Sequence, residues 1–154
     1  MDLNRFANAT FVQREASIPV PELAEWFAEG EEQVWVVRGL TAAELGRAQQ
    51  SASTREATLS ALVNAMAGEG DKAAEIRKAM GLSDENVPED VSRRIEMLVA
   101  GSVNPKLSQD QRDVAVKLAE AYPTTFYALT NKITNLTGQG AEPGKRKPSG
   151  KTPA

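Results

Sequence analysis

Gln33-Val-Trp-Val-Val-Arg38-Gly-Leu-Thr41-Ala-Ala-Glu44 decides the fold, because the structural period of the chain changes inside it. Its first six residues are β-branched and aromatic, and they read as a strand. Thr41-Ala-Ala-Glu44 then reads as a capping box. A Thr hydroxyl accepts from the N–H three residues on, and the Glu carboxylate accepts from the Thr N–H. A long Ala-rich helix is expected from about residue 42 to 67, ended by Gly68 and Gly70. Its middle, Gln49-Gln-Ser-Ala-Ser-Thr-Arg55, is polar and weak in helix propensity, so a break or frayed turn is expected there.

Upstream, residues 11–20 alternate. Val12, Ala16, Ile18 and Val20 share one face, and Gln13, Glu15 and Ser17 share the other. That pattern predicts a strand, confined to a sheet edge by Pro19 and able to pair with residues 33–38 as an antiparallel ribbon. Between the two, Pro21 opens a short helix over 21–28 with Leu23, Trp26 and Phe27 inward, and Gly30 ends it.

Downstream, helix follows helix. Asp71 caps a short one that runs to Met80, and residues 82–87 form a loop. Pro88 starts another, whose apolar stripe is Val91, Ile95, Leu98 and Val99. Asn104-Pro105 breaks it. Ser108-Gln-Asp-Gln111 is a second capping box, opening a helix with Val114, Leu118, Ala121 and Tyr122 inward. After Pro123 a last helix carries Phe126, Leu129, Ile133 and Leu136, with Gly138 as its C-cap. Residues 139–154 are rich in Gly, Pro, Ser and Lys and hold no large side chain to bury. The expected architecture is mainly α: one small helical domain over 1–138, a minor N-terminal two-stranded β element, and a disordered basic tail over 139–154.

Composition narrows the function. The 154 residues contain no Cys and no His. Disulfides, thiolate metal sites, the commonest general base and the commonest metal ligand are absent together. The tail holds Lys145, Arg146, Lys147 and Lys151 against Glu142, a net +3. The remaining 14 cations and 20 acids give −6. An acidic body with a short cationic tail suits holding a partner better than turning over a substrate. No apolar run approaches the roughly 20 residues that span a bilayer, and Met1-Asp-Leu-Asn-Arg-Phe6 has no apolar core like a signal peptide's. A soluble cytoplasmic protein is expected.

Chemical motifs are thin. Gly150-Lys-Thr152 matches the end of a phosphate-binding loop, but position 145 is Lys where the first Gly belongs. The acids Glu22, Glu25, Glu29, Glu31, Glu32, Asp84, Glu85, Glu89 and Asp90 stand at helix starts and in polar loops, where they complement helix dipoles or are solvated. Neither catalytic, cofactor-binding nor metal-binding residues are assigned. The large apolar side chains Trp26, Phe27, Trp35, Phe126 and Tyr127 read first as core, and as partner-binding anchors wherever the core leaves them uncovered.

Two stretches carry a resemblance to a known family. Val34-Trp-Val-Val-Arg-Gly-Leu-Thr41 is a strand ending in Val-Arg, then Leu-Thr, then an Ala/Glu helix. Near the other end come Pro123-x-x-Phe126, a helix with Ile133, and Leu136-Thr-Gly-Gln-Gly140 before a Gly/Lys-rich close. The chain resembles, over roughly residues 10–150, the tail assembly chaperones of long-tailed bacteriophages. The resemblance implies a small, mostly helical, non-enzymatic protein of the host cytoplasm that forms homo-oligomers. It also implies that the protein coats the tape-measure protein before the major tail tube protein polymerises, and that a ribosomal slip near the gene's end makes a longer form. A different class of function, a small helical nucleic-acid-binding regulator, needs a cationic recognition helix. The best candidate, 91–103, offers only Arg93 and Arg94.

Overall fold

The computed structural model describes residues 1–65 and 88–144. The chain is mainly α. It begins with a short helix α1 (Leu3–Ala7), strand β1 (Phe11–Val12), strand β2 (Glu15–Pro19) and a 3₁₀ turn (Pro21–Trp26). Strand β3 (Val34–Arg38) and helix α2 (Ala42–Ala65) follow. After residue 88 come α3 (Glu89–Gly101), β4 (Ser102–Asn104), a 3₁₀ turn (Gln109–Gln111), α4 (Arg112–Ala121), α5 (Pro123–Gln139) and β5 (Glu142–Pro143). The short helix expected over 71–80 and the loop over 82–87 lie outside the described residues, as do residues 145–154.

The expected ribbon is present: β2 pairs antiparallel with β3, from Glu15 opposite Arg38 to Pro19 opposite Val34. Pro19 sits on an edge strand, as its missing N–H requires. The sheet gains a third strand that the sequence does not announce, because β4 pairs along the other edge of β3 with a register shift at Val36/Val37. Only three residues separate the end of α3 from Pro105, too few to show an alternating pattern. The indole Nε1–H of Trp35 donates to Ser102 Oγ at 2.5 Å and ties β4 down.

The strand expected over 11–20 is divided. Phe11 and Val12 leave the main sheet and pair with Pro143 and Glu142 instead. Val12 is accordingly 57% exposed rather than on the core face. The C-terminal ordering therefore reaches past the expected stop at Gly138. Helix α5 runs to Gln139, and Gly140 leaves it at φ +72°, a conformation that suits glycine. Arg14 then fastens the following residues: its Nε donates to Gly140 O at 3.1 Å and its Nη1 pairs with Glu142. Gly144 N–H donates to Thr10 O at 2.7 Å.

Helix α2 shows no break at 49–55. Ala48 and Ala52, one turn apart, are 3% and 1% exposed, and α2 packs along α3. Tertiary packing outweighs the weak local propensity of Gln49–Thr54. Both capping boxes form. At the start of α2, Glu44 N–H donates to Thr41 Oγ1 at 3.2 Å and Thr41 N–H donates to Glu44 Oε2 at 2.9 Å. Ser108 and Gln111 complete the second, which caps a 3₁₀ turn running into α4.

The core lies between the sheet and α3, α4 and α5. It contains Val20, Val37, Leu98, Phe126, Leu129 and Ile133, all within 1% of full burial. Gly39 lets α5 approach, since a Cβ there would stand 3.0 Å from the backbone of Leu136 and Thr137. Leu40 N–H donates to Thr137 Oγ1 at 2.9 Å across the same contact.

Arg38 closes the junction between β3 and α2 with two hydrogen bonds to Glu44, at 2.7 and 3.0 Å. The guanidinium of Arg38 holds the Glu44 carboxyl down to about 2 from 4.5, with help from Thr41 and against the opposing effect of burial. Because the folded pKa lies below the unfolded one, this stabilisation is complete above about pH 4.5 and is lost as pH falls toward about 2. Asp90, lowered by Arg94 and Arg93, acts in the same direction. Glu44→Gln should therefore give a urea midpoint that falls less steeply below about pH 4.5 than that of the parent protein. An unchanged slope would show that the pair does not couple to folding.

Candidate functional site

The 3₁₀ turn places the most exposed large aromatic of the body. Pro21 starts it, and Leu23 turns inward at 5% exposure. The turn ends at Trp26, and Phe27 is already extended (φ −96°, ψ 148°). Trp26 is the last residue of the turn, and its side chain is 71% exposed instead of inward as the sequence suggests. Gly30 reverses the chain at φ +81°, and Glu31 Oε2 accepts from Ala28 N–H at 3.0 Å, which fixes the loop leading to β3.

Helix α4 faces this turn. The sequence points Val114, Leu118, Ala121 and Tyr122 inward, but the core line of α4 is Ala115 and Leu118, at 0% and 6% exposure. Val114 is 40% exposed and Ala121 is exposed. The helix has a wider apolar face than one core can cover, and the part left over looks toward Trp26. Between them lies an open groove of about 720 Å³. Trp26, Phe27, Val34, Val114, Ala121 and Tyr122 form its apolar lining, over a floor that includes Leu23 and Trp35. Asn104 and Pro105, joined by a cis peptide bond, also line it. The exposed charged side chains Glu31, Glu32 and Lys117 stand at its margins.

The five candidate anchors thus separate. Trp26, Phe27 and Trp35 meet at one groove, although Trp35 is only 4% exposed and contributes as floor. Phe126 is a core residue at 1% exposure, because it lies on the α5 stripe facing the centre of the domain. Tyr127 is 40% exposed on a different surface, edge-on to Phe126 at 5.6 Å and beneath the Arg94 guanidinium at 4.9 Å. Val114, Ala121, Pro105 and Lys117 join the groove without a sequence signal that assigns them there. The 3.6-residue period shows that α4 has an apolar face, not what covers it.

Arg93 and Arg94, the cations of the candidate nucleic-acid helix, are engaged within the fold. Both pair with Asp90, at 2.6 and 2.9 Å. Arg94 also donates to Thr130 Oγ1 and Asn131 Oδ1. Neither stands out as a cation aimed at a phosphate backbone. Among the described residues, no helix is long and apolar enough to cross a membrane. Glu22, Glu25, Glu29, Glu31 and Glu32 are exposed and do not gather into a group that could hold a metal ion. Comparison of the chain with models of known families, with curated proteins and with solved structures finds no match.

Proposed function

We propose that the chain is a non-catalytic tail assembly chaperone of a long-tailed bacteriophage, acting in the host cytoplasm on the tape-measure protein. The observation that carries this reading is the open apolar groove around Trp26. A long helical protein with an exposed apolar stripe aggregates unless the stripe is covered. A groove lined by Trp, Phe, Val and Tyr covers such a stripe by taking its i, i+3 and i+4 side chains. Glu31, Glu32 and Lys117 at the margins suit a helix with charges flanking its stripe. The tail tube protein would release the chaperone by competing for the tape-measure protein.

The test is co-expression with the tape-measure protein of the same genome. That protein should stay soluble and co-purify with the parent chain, and should aggregate with Trp26→Asp. With purified components, Trp26→Ala should weaken binding by about 30-fold, the effect of losing a hot spot of about 2 kcal/mol. In a Trp35→Phe background Trp26 is the sole indole of a chain that has two, so its emission should shift to shorter wavelength as the groove fills. Solubility and affinity indifferent to Trp26 would remove the groove from the mechanism. Failure of the parent chain to bind the tape-measure protein would remove the chaperone reading.

A further inference from the structure

A second uncovered apolar surface lies at the other end of the molecule. Residues 1–12 are all exposed and α1 buries none of its side chains. Met1, Leu3, Phe6 and Phe11 are 93%, 69%, 56% and 44% exposed. These side chains are organised nonetheless. Asp2 caps α1 by accepting from Arg5 N–H at 3.0 Å, which sets Leu3 and Phe6 three residues apart on one face. The Phe6 ring packs on Phe11 at 5.3 Å between centroids. The arm is anchored at its base, where β1 pairs with β5 and Gly144 donates to Thr10.

The arm and the groove are far apart on one chain. The arm springs from the Glu15/Arg38 end of the sheet, beside Gly140. The groove lies at the Val34 end, beside Tyr122. Helix α5, 17 residues from Pro123 to Gln139, separates the two, a span of about 25 Å. An apolar projection at one end and an apolar cleft at the other are complementary between copies rather than within one. Their charges agree as well. The arm carries Asp2 and Arg5 three residues apart, and the groove margins carry Lys117 and the pair Glu31 and Glu32.

We propose that the N-terminal arm of one copy seats in the Trp26 groove of a second copy, with Leu3 and Phe6 against Trp26, Phe27 and Tyr122 and with Arg5 beside Glu31 and Glu32. The contact uses different surfaces on the two partners. Each pair therefore leaves one free arm and one free groove, and addition continues head to tail. The pairing does not depend on the tape-measure reading. It does make self-assembly and capture of a foreign helix alternatives at one surface, since an incoming helix must displace the arm.

The experiment uses the purified full-length chain alone, so its outcome is separate from that of the co-expression test. Leu3→Asp/Phe6→Asp removes the projection and Trp26→Asp removes the cleft, and neither touches a buried side chain. Light scattering at tens of micromolar, the range of a modest interface, should show the parent chain well above its 16.6 kDa mass. Each variant alone should be monomeric. Their equimolar mixture should give a species of twice the chain mass that does not grow, because only one arm and one cleft remain functional. Thermal melts of both variants should stay within a few degrees of the parent. The natural absence of cysteine allows an independent check. Chains carrying Asn4→Cys and chains carrying Glu32→Cys should form a mixed disulfide dimer on oxidation. A parent chain monomeric throughout this range, variants that still assemble, or a monomeric Asn4→Cys/Glu32→Cys double variant closing its own disulfide would each overturn the proposal.

Discussion

Phe126→Ala should lower the stability of the domain by about 3–5 kcal/mol, read as a large fall in the urea midpoint. Phe126 is 1% exposed and stands on α5 in the same core as Leu98, Leu129 and Ile133. Removing its ring leaves a cavity that three packed helices and a sheet cannot readily collapse into. A domain of this size is stable by about 5–15 kcal/mol in all, so the loss is a large fraction of the whole. Tyr127, its neighbour in sequence, is the control. It is 40% exposed and contributes mainly the stacking of Arg94 on its ring, so Tyr127→Ala should cost far less. Equal costs for the two would contradict the orientation of α5.

Trp35→Ala should cost a similar amount, about 3–5 kcal/mol, for two separable reasons. The indole is 4% exposed against the core, and its Nε1–H is bonded to Ser102 Oγ. Truncation opens a cavity under the groove and removes the side-chain tie that β4 has to β3 beside their backbone pairing. Trp35→Phe keeps most of the volume and loses the donor. It should account for about 1–3 kcal/mol, the cost of leaving a buried polar group unsatisfied. Trp26→Ala, in the same groove but 71% exposed, should barely change the urea midpoint. The contrast between the two tryptophans distinguishes the floor of the groove, which belongs to the fold, from the exposed ring that is free to meet a partner.

What the amino-acid sequence determines here is what repeats locally. The stripe Phe126, Leu129, Ile133 and Leu136 is buried to 5% or better, because a helix with one apolar face has only one way to turn it. Thr41/Glu44 and Ser108/Gln111 cap as their spacing dictates, since the donors and acceptors lie within one turn. Val34 to Arg38 form a strand whose neighbour is the alternating segment upstream, with Pro19 at an edge. The tertiary structure decides whatever depends on residues far apart in the chain. The pairing of Phe11 with Pro143, the ion pair of Arg14 with Glu142 and the bond of Trp35 to Ser102 have no local pattern that foretells them. The groove is of the same kind. Leu23, Trp35, Pro105 and the pair Leu118 and Tyr122 come from four separate segments, and each alone reads as a core or turn residue. Periodicity tells which side of a helix is apolar. Whether that side meets the core, as Ala115 does, or is left to face Trp26, as Val114 is, depends on how much apolar surface the neighbouring elements can cover.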